Sequence, residues 1–186
     1  GYTEANLIEH YNFDLAWSRD HFISLLYYLG YLTLAPSDNF SKRFAVPNYV
    51  IRELYFQYFL EVQLQRADMD RSALDLSRIG SALALQNDPK PFAALLGDIL
   101  KNLADRDKVG FSEKHAKAVA VAILHTANVF FIKSEYPLQG GYLDILLLQR
   151  PQYRPHYQMA IELKYLANKD GADLEKTVRE GKAQLA

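Results

Sequence analysis

Apolar residues recur at helical spacing through residues 13–30, where Phe22, Leu25, Leu26 and Leu29 share one face and Gly30 suits the left-handed position that ends a helix. Tyr31–Ala35 then reads as a short strand, and Pro36-Ser-Asp-Asn supplies turn chemistry. Arg43–Val46 reads as the returning strand, stopped by Pro47-Asn48. A long helix is predicted from Tyr49 to about Arg66, carrying Val50, Leu54, Phe56, Tyr58 and Leu60. Helices around one hairpin are compatible with a small winged-helix-like module.

Residues 68–108 predict more helix, with Asp70 or Ser72 as a cap and a break at Asn87-Asp-Pro-Lys-Pro91. Phe92, Leu95, Leu96, Ile99, Leu100 and Leu103 then form an amphipathic stripe. Asp105-Arg-Asp-Lys-Val-Gly110 reads as a polar linker and marks the expected boundary between domains at 1–108 and 109–186.

The second part predicts the order α-β-β-β-α. Ser112 is placed to cap a helix with Ala116, Val119, Ala120, Ile123 and Leu124 on one face. Strands follow at Val129–Ile132, Tyr142–Leu148 and Tyr157–Lys164, the last two separated by the proline-bearing loop Arg150–Pro155. A final helix starts near Asp173. The fold class expected is mixed, α+β or α/β. No repeat or low-complexity tract interrupts it.

Charge and composition narrow the chemistry only slightly. The net charge is −1, so no global field draws the protein to nucleic acid. The first 108 residues carry 11 Lys+Arg against 14 Asp+Glu, the rest 10 against 8. The second part is therefore mildly basic, which permits a phosphate substrate. With no cysteine, disulfides, thiolate metal sites and cysteine nucleophiles are excluded, and a cytoplasmic location fits. No segment has the length of a membrane span, so no membrane partner is expected. The chain opens on Gly1 rather than Met, which suggests a piece excised from a longer protein.

The candidate chemistry lies in Tyr142-Leu-Asp144 and Ile161-Glu162-Leu163-Lys164. Strand side chains alternate, so Glu162 and Lys164 point one way and Leu163 the other. If the two strands pair as a hairpin, Asp144 and Glu162 can converge on a hard divalent cation, with Lys164 beside it. A metal-dependent phosphodiesterase needs such a set. The competing explanation is a surface ion pair, but charges beside very apolar strands are costly unless paired or metal-bound. Glu135 could add a carboxylate or simply be solvated before Pro137. Glu113 is explained by the helix dipole. Gln184 could reach the site or be exposed. The five histidines show no zinc spacing, and no phosphate-binding glycine loop is present. The aromatic helix Tyr49–Leu60 suits packing better than base stacking.

Gly-Tyr-Leu-Asp144, Ile-Glu162-Leu-Lys164 and a helix ending Ala-Gln184-Leu together resemble the PD-(D/E)xK nuclease superfamily. More narrowly, with Phe22–Thr33 and Val46-Pro-Asn48, the chain is similar to the nuclease-like domain and linker found behind an AAA-ATPase-like domain in many bacterial proteins. The resemblance implies a restriction-endonuclease-like core lacking its last strand. It implies Mg²⁺ or Mn²⁺ held by Asp144, Glu162 and the Leu163 carbonyl. Lys164 would position water or stabilise phosphate charge, Gln184 would support the site, and Glu135 matches an upstream acid. DNA and the ATPase domain of the same protein are the implied partners. Tyr142 stands where many members carry arginine. A non-catalytic nucleic-acid-binding or regulatory module that keeps the fold is the alternative.

Overall fold

The computed structural model describes residues 1–186 except 13, 15, 38–41, 107–111, 139–140, 165–173 and 186, and leaves aside the side chains of 105–106, 174–175 and 184–185. The expected polar boundary at 105–110 falls mostly outside the described residues. The chain divides into two compact units, Gly1–Tyr55 and Phe56–Ala186.

In the first unit, strand β1 (Thr3–Ala5), helix α1 (Arg19–Tyr28), strand β2 (Thr33–Ala35) and strand β3 (Lys42–Ala45) precede the start of helix α2 (Tyr49–Arg66). The three strands form an antiparallel sheet in the order β1-β3-β2, with Leu34 and Thr3 both opposite Phe44. Phe44 is the buried centre of this sheet, and Tyr27 of α1 meets it edge-on at 5.6 Å between ring centroids. α1 begins at Ser18, whose hydroxyl accepts from the His21 N–H, and Gly30 beyond its end has φ 78°. Among the described residues, the helical pattern from residue 13 therefore becomes helix only from Arg19. A cap that satisfies orphan N–H groups sets the start more sharply than apolar spacing does. β1 has no counterpart in the local pattern, because three residues on an edge gain strand character only from their partner.

In the second unit the rest of α2 is followed by a short 3₁₀ turn at Arg71–Ala73, then α3 (Leu76–Gln86), α4 (Lys90–Arg106) and α5 (Glu113–Ala127). β4 (Phe130–Leu138), β5 (Gly141–Gln149), β6 (Met159–Ile161) and α6 (Leu174–Leu185) complete it. The α-β-β-β-α order of the second part is thus present, within an α+β architecture consistent with a nuclease-like core. α3 and α5 both end on asparagines in the left-handed region, Asn87 at φ 53° and Asn128 at φ 56°, where a short polar side chain is tolerated.

α5 is the buried centre of this unit. Val119, Ala120, Ala122 and Ile123 are fully shielded, and Ile145 and Leu147 of β5 join the same core. Each large aliphatic side chain so buried contributes roughly 1.5–3 kcal/mol relative to exposure. Two histidines of α5 belong to this packing. His125 is buried and stacked on Phe56 at 4.3 Å, and His115 Nε2 bonds Gln63 Oε1 at 3.2 Å.

β4, β5 and β6 form an antiparallel sheet in that order. β4 runs further than the apolar run Val129–Ile132, because its polar second half also pairs with β5 on either side of Glu135. β6 is shorter than its pattern, ending at Ile161, so Glu162 and Lys164 lie just past the strand.

Candidate active site at the β5–β6 edge

Two registers fix the site. Between β4 and β5, Ser134 pairs Ile145 and Tyr136 pairs Leu143, so Glu135 stands opposite Asp144 where the ladder is interrupted. Glu135 has φ 54°, a left-handed conformation that is uncommon for a non-glycine residue. This break suspends strict alternation, and Leu143, Asp144 and Ile145 are all buried in succession. Between β5 and β6, Ile145 pairs Ile161, which brings the residue just past β6, Glu162, level with Asp144.

Asp144 is held at both carboxylate oxygens. Its Oδ2 accepts from the Leu163 backbone N–H at 2.9 Å. Its Oδ1 lies 2.5 Å from Lys117 Nζ on α5. The Asp144 backbone N–H in turn donates a long, 3.5 Å hydrogen bond to Glu162 Oε2. Glu162, whose side chain is only 5% exposed, pairs through Oε1 with Lys164 Nζ at 2.8 Å. Lys117 Nζ also reaches Glu135 Oε1 at 3.7 Å, although the Glu135 side chain is largely exposed. A methyl group placed on Gly181 of α6 would stand 3.6 Å from Lys164 Cγ, so the final helix passes the lysine stem.

The charges reinforce one another. For Lys117 the largest influence is burial, which opposes its charge. The hydrogen bond to Asp144 and the attraction of Asp144, Glu135 and Glu113 outweigh burial and leave its pKa raised. For Lys164 the hydrogen bond to Glu162 comes first. It prevails over burial, with attraction from Glu162, Asp144 and Glu113, and the pKa is again raised. Both lysines are therefore ammonium ions at neutral pH.

The structure thus brings Asp144, Glu162, Leu163 and Lys164 together on one edge. Glu135 joins them through Lys117. The Gln184 side chain lies outside the described residues. Sequence reasoning overlooked Lys117, which lies 27 residues from Asp144 and on another element. One signal was available: Lys117 follows Glu113 by four residues and borders the apolar stripe of α5. Glu113 also adds field to both lysines, beyond the helix-dipole role that its position explains.

The fit to a metal can be judged from the donors. Two carboxylates and a neighbouring backbone offer only oxygen, which suits hard ions such as Mg²⁺ or Mn²⁺. Among the described residues, no three His, Cys, Asp or Glu side chains are gathered to hold an ion by themselves. A third ligand would have to come from the backbone. The donor type fits, and the outward oxygen of Asp144 already faces a cation, the Lys117 ammonium.

Residues 111–186 match the sequence model of the PD-(D/E)XK nuclease superfamily. No curated protein and no solved structure matches the chain. The match covers α5 to α6, the span that contains every residue of the site. Among the described residues no helix is long and apolar enough to cross a membrane.

Proposed function

We propose that the protein is a divalent-metal-dependent phosphodiesterase that hydrolyses DNA, with its chemistry at Asp144, Glu162 and Lys164. The observation that carries this reading is the level placement of Asp144 and Glu162 across β5 and β6, with Lys164 on the same edge. The superfamily match over residues 111–186 supports it.

Asp144, Glu162 and the Leu163 carbonyl would hold Mg²⁺ or Mn²⁺, which when bound supplies a more acidic water and neutralises phosphate charge. The chain does the rest. The Leu163 N–H fixes the Asp144 carboxylate in one orientation. Glu162 anchors the Lys164 ammonium, whose side chain is 32% exposed and can reach a phosphate oxygen from the edge. Gln184 on α6 would support this arrangement, and Glu135 would add negative charge beside Asp144. The functional domain would span 109–186, preceded by a winged-helix-like linker and, in a longer cytoplasmic protein, an AAA-ATPase-like domain as partner.

A second reading keeps the fold as a non-catalytic nucleic-acid-binding or regulatory module. The Lys117–Asp144 ion pair favours it, because it neutralises the central carboxylate without a metal.

The test is a Mn²⁺ titration by calorimetry on wild-type and Asp144→Ala protein, alongside plasmid nicking. Binding lost in the variant, together with wild-type nicking, is the expected result. Binding without nicking would select the non-catalytic reading, and no binding at all would remove the metal-dependent one.

A further inference from the structure

We infer that Lys117 is a built-in counter-ion that holds the metal position of the carboxylate site and gives way when a divalent cation enters. This rests on the metal-dependent reading above.

Asp144 has one oxygen committed to the Leu163 N–H at 2.9 Å. The other oxygen, Oδ1, faces Lys117 Nζ at 2.5 Å, so the ammonium stands where a cation would approach it. An ammonium and a divalent ion on the same carboxylate oxygen would stand a few ångströms apart in a partly buried setting, where like charges repel strongly. The two occupancies therefore compete for that oxygen.

The charge count gives the pairing its purpose. Asp144, Glu162 and Glu135 bring three negative charges to the edge, and Lys117 and Lys164 bring two positive ones. Without Lys117, the Asp144 carboxylate, whose side chain is only 10% exposed, would keep its hydrogen bond to Leu163 but lose its counter-charge. Lys117 thus allows the acid site to fold before any metal arrives. Its means of departure is also visible. The ammonium sits on a flexible four-carbon stem, 20% exposed, and its second contact, Glu135, is 71% exposed at the rim. Glu135 gives the displaced ammonium a place to rest.

The test compares Mn²⁺ binding by calorimetry in wild-type, Lys117→Gln and Lys117→Met proteins, with far-ultraviolet circular dichroism on each. Lys117→Gln keeps a polar group beside Asp144, so it decides the matter if the methionine variant does not fold. The expected result is Mn²⁺ affinity about tenfold tighter or more in Lys117→Gln, the scale of one partly buried ion pair. Binding that appears only in the variant gives the same support. Wild-type binding with equal or weaker affinity in Lys117→Gln overturns the counter-ion role and leaves the metal site standing. Absence of binding in all three proteins overturns both.

Discussion

Lys117 Nζ on α5 lies 2.5 Å from Asp144 Oδ1 on β5, and this ion pair ties the central helix of the second unit to the edge where Glu162 and Lys164 converge. It joins a packing role to a chemical one. Asp144→Asn should destabilise the metal-free protein by about 2–3 kcal/mol, since it leaves a partly buried ammonium with only the exposed and more distant Glu135 as its ion-pair partner. Lys117→Met should cost a similar amount, and the double variant less than the sum, with a coupling of about 1–3 kcal/mol. Urea unfolding of the four proteins measures this. Strict additivity would show that the contact does not act as a pair.

Lys164 should separate binding from turnover. Its ammonium pairs with Glu162 rather than with Asp144, and it meets the edge from outside. Lys164→Met is expected to lower DNA cleavage by about 10²–10³-fold, the scale of a lost electrostatic stabiliser. Mn²⁺ affinity should hold or rise. A variant that loses metal binding in step with cleavage would make Lys164 a structural support of Glu162 instead.

Gly80 offers a test of the packing that carries the site. It lies in α3, and a β-carbon there would come within 2.5 Å of Val129 Cγ2, at the entry to β4. Alanine normally gains up to about 1 kcal/mol over glycine inside a helix. Here overpacking against a stiff branched side chain should prevail, so Gly80→Ala is expected to destabilise by about 1–3 kcal/mol. Adding Val129→Ala should recover part of the loss. Thermal unfolding of both variants reads this directly, and a stabilised Gly80→Ala protein would show that α3 shifts at little cost.

Acid stability should carry the signature of two helix caps. Asp70 accepts from Ser72, and Asp75 accepts from Ser77 and from the Arg78 N–H, and these bonds hold both carboxyls below their usual 3.8. A carboxyl lowered in the folded state contributes stability above its unfolded value and loses it as pH falls through the folded one. The contribution should therefore be intact above about pH 4 and fade below it. Asparagine caps without titrating, so Asp70→Asn with Asp75→Asn should flatten this part of the melting-temperature profile below pH 4. Profiles of the same shape would assign acid unfolding to other groups.

Much of the second unit is written locally. The stripe Ala116–Leu124, the cap at Ser112, the break at Asn87–Pro91 and the apolar runs of β4 and β5 each follow from side-chain period or turn chemistry. The pairing of β5 with β6 follows from two strands joined by a proline-bearing loop, and it sets Asp144 level with Glu162. What local pattern does not encode is contact between distant elements. β1 exists because Thr3, Glu4 and Ala5 find β3 about 39 residues away. Glu135 adopts φ 54° opposite Asp144, and no spacing rule announces it.

Asp144, Glu162 and Lys164 stand out along the chain alone, because charge beside an apolar strand is costly and therefore conspicuous. Which cation meets the Asp144 carboxylate is set by packing between distant elements. A lysine on a helix ordinarily faces water. Lys117 turns toward Asp144 because α5 packs against the sheet, and the buried carboxylate draws the nearest ammonium.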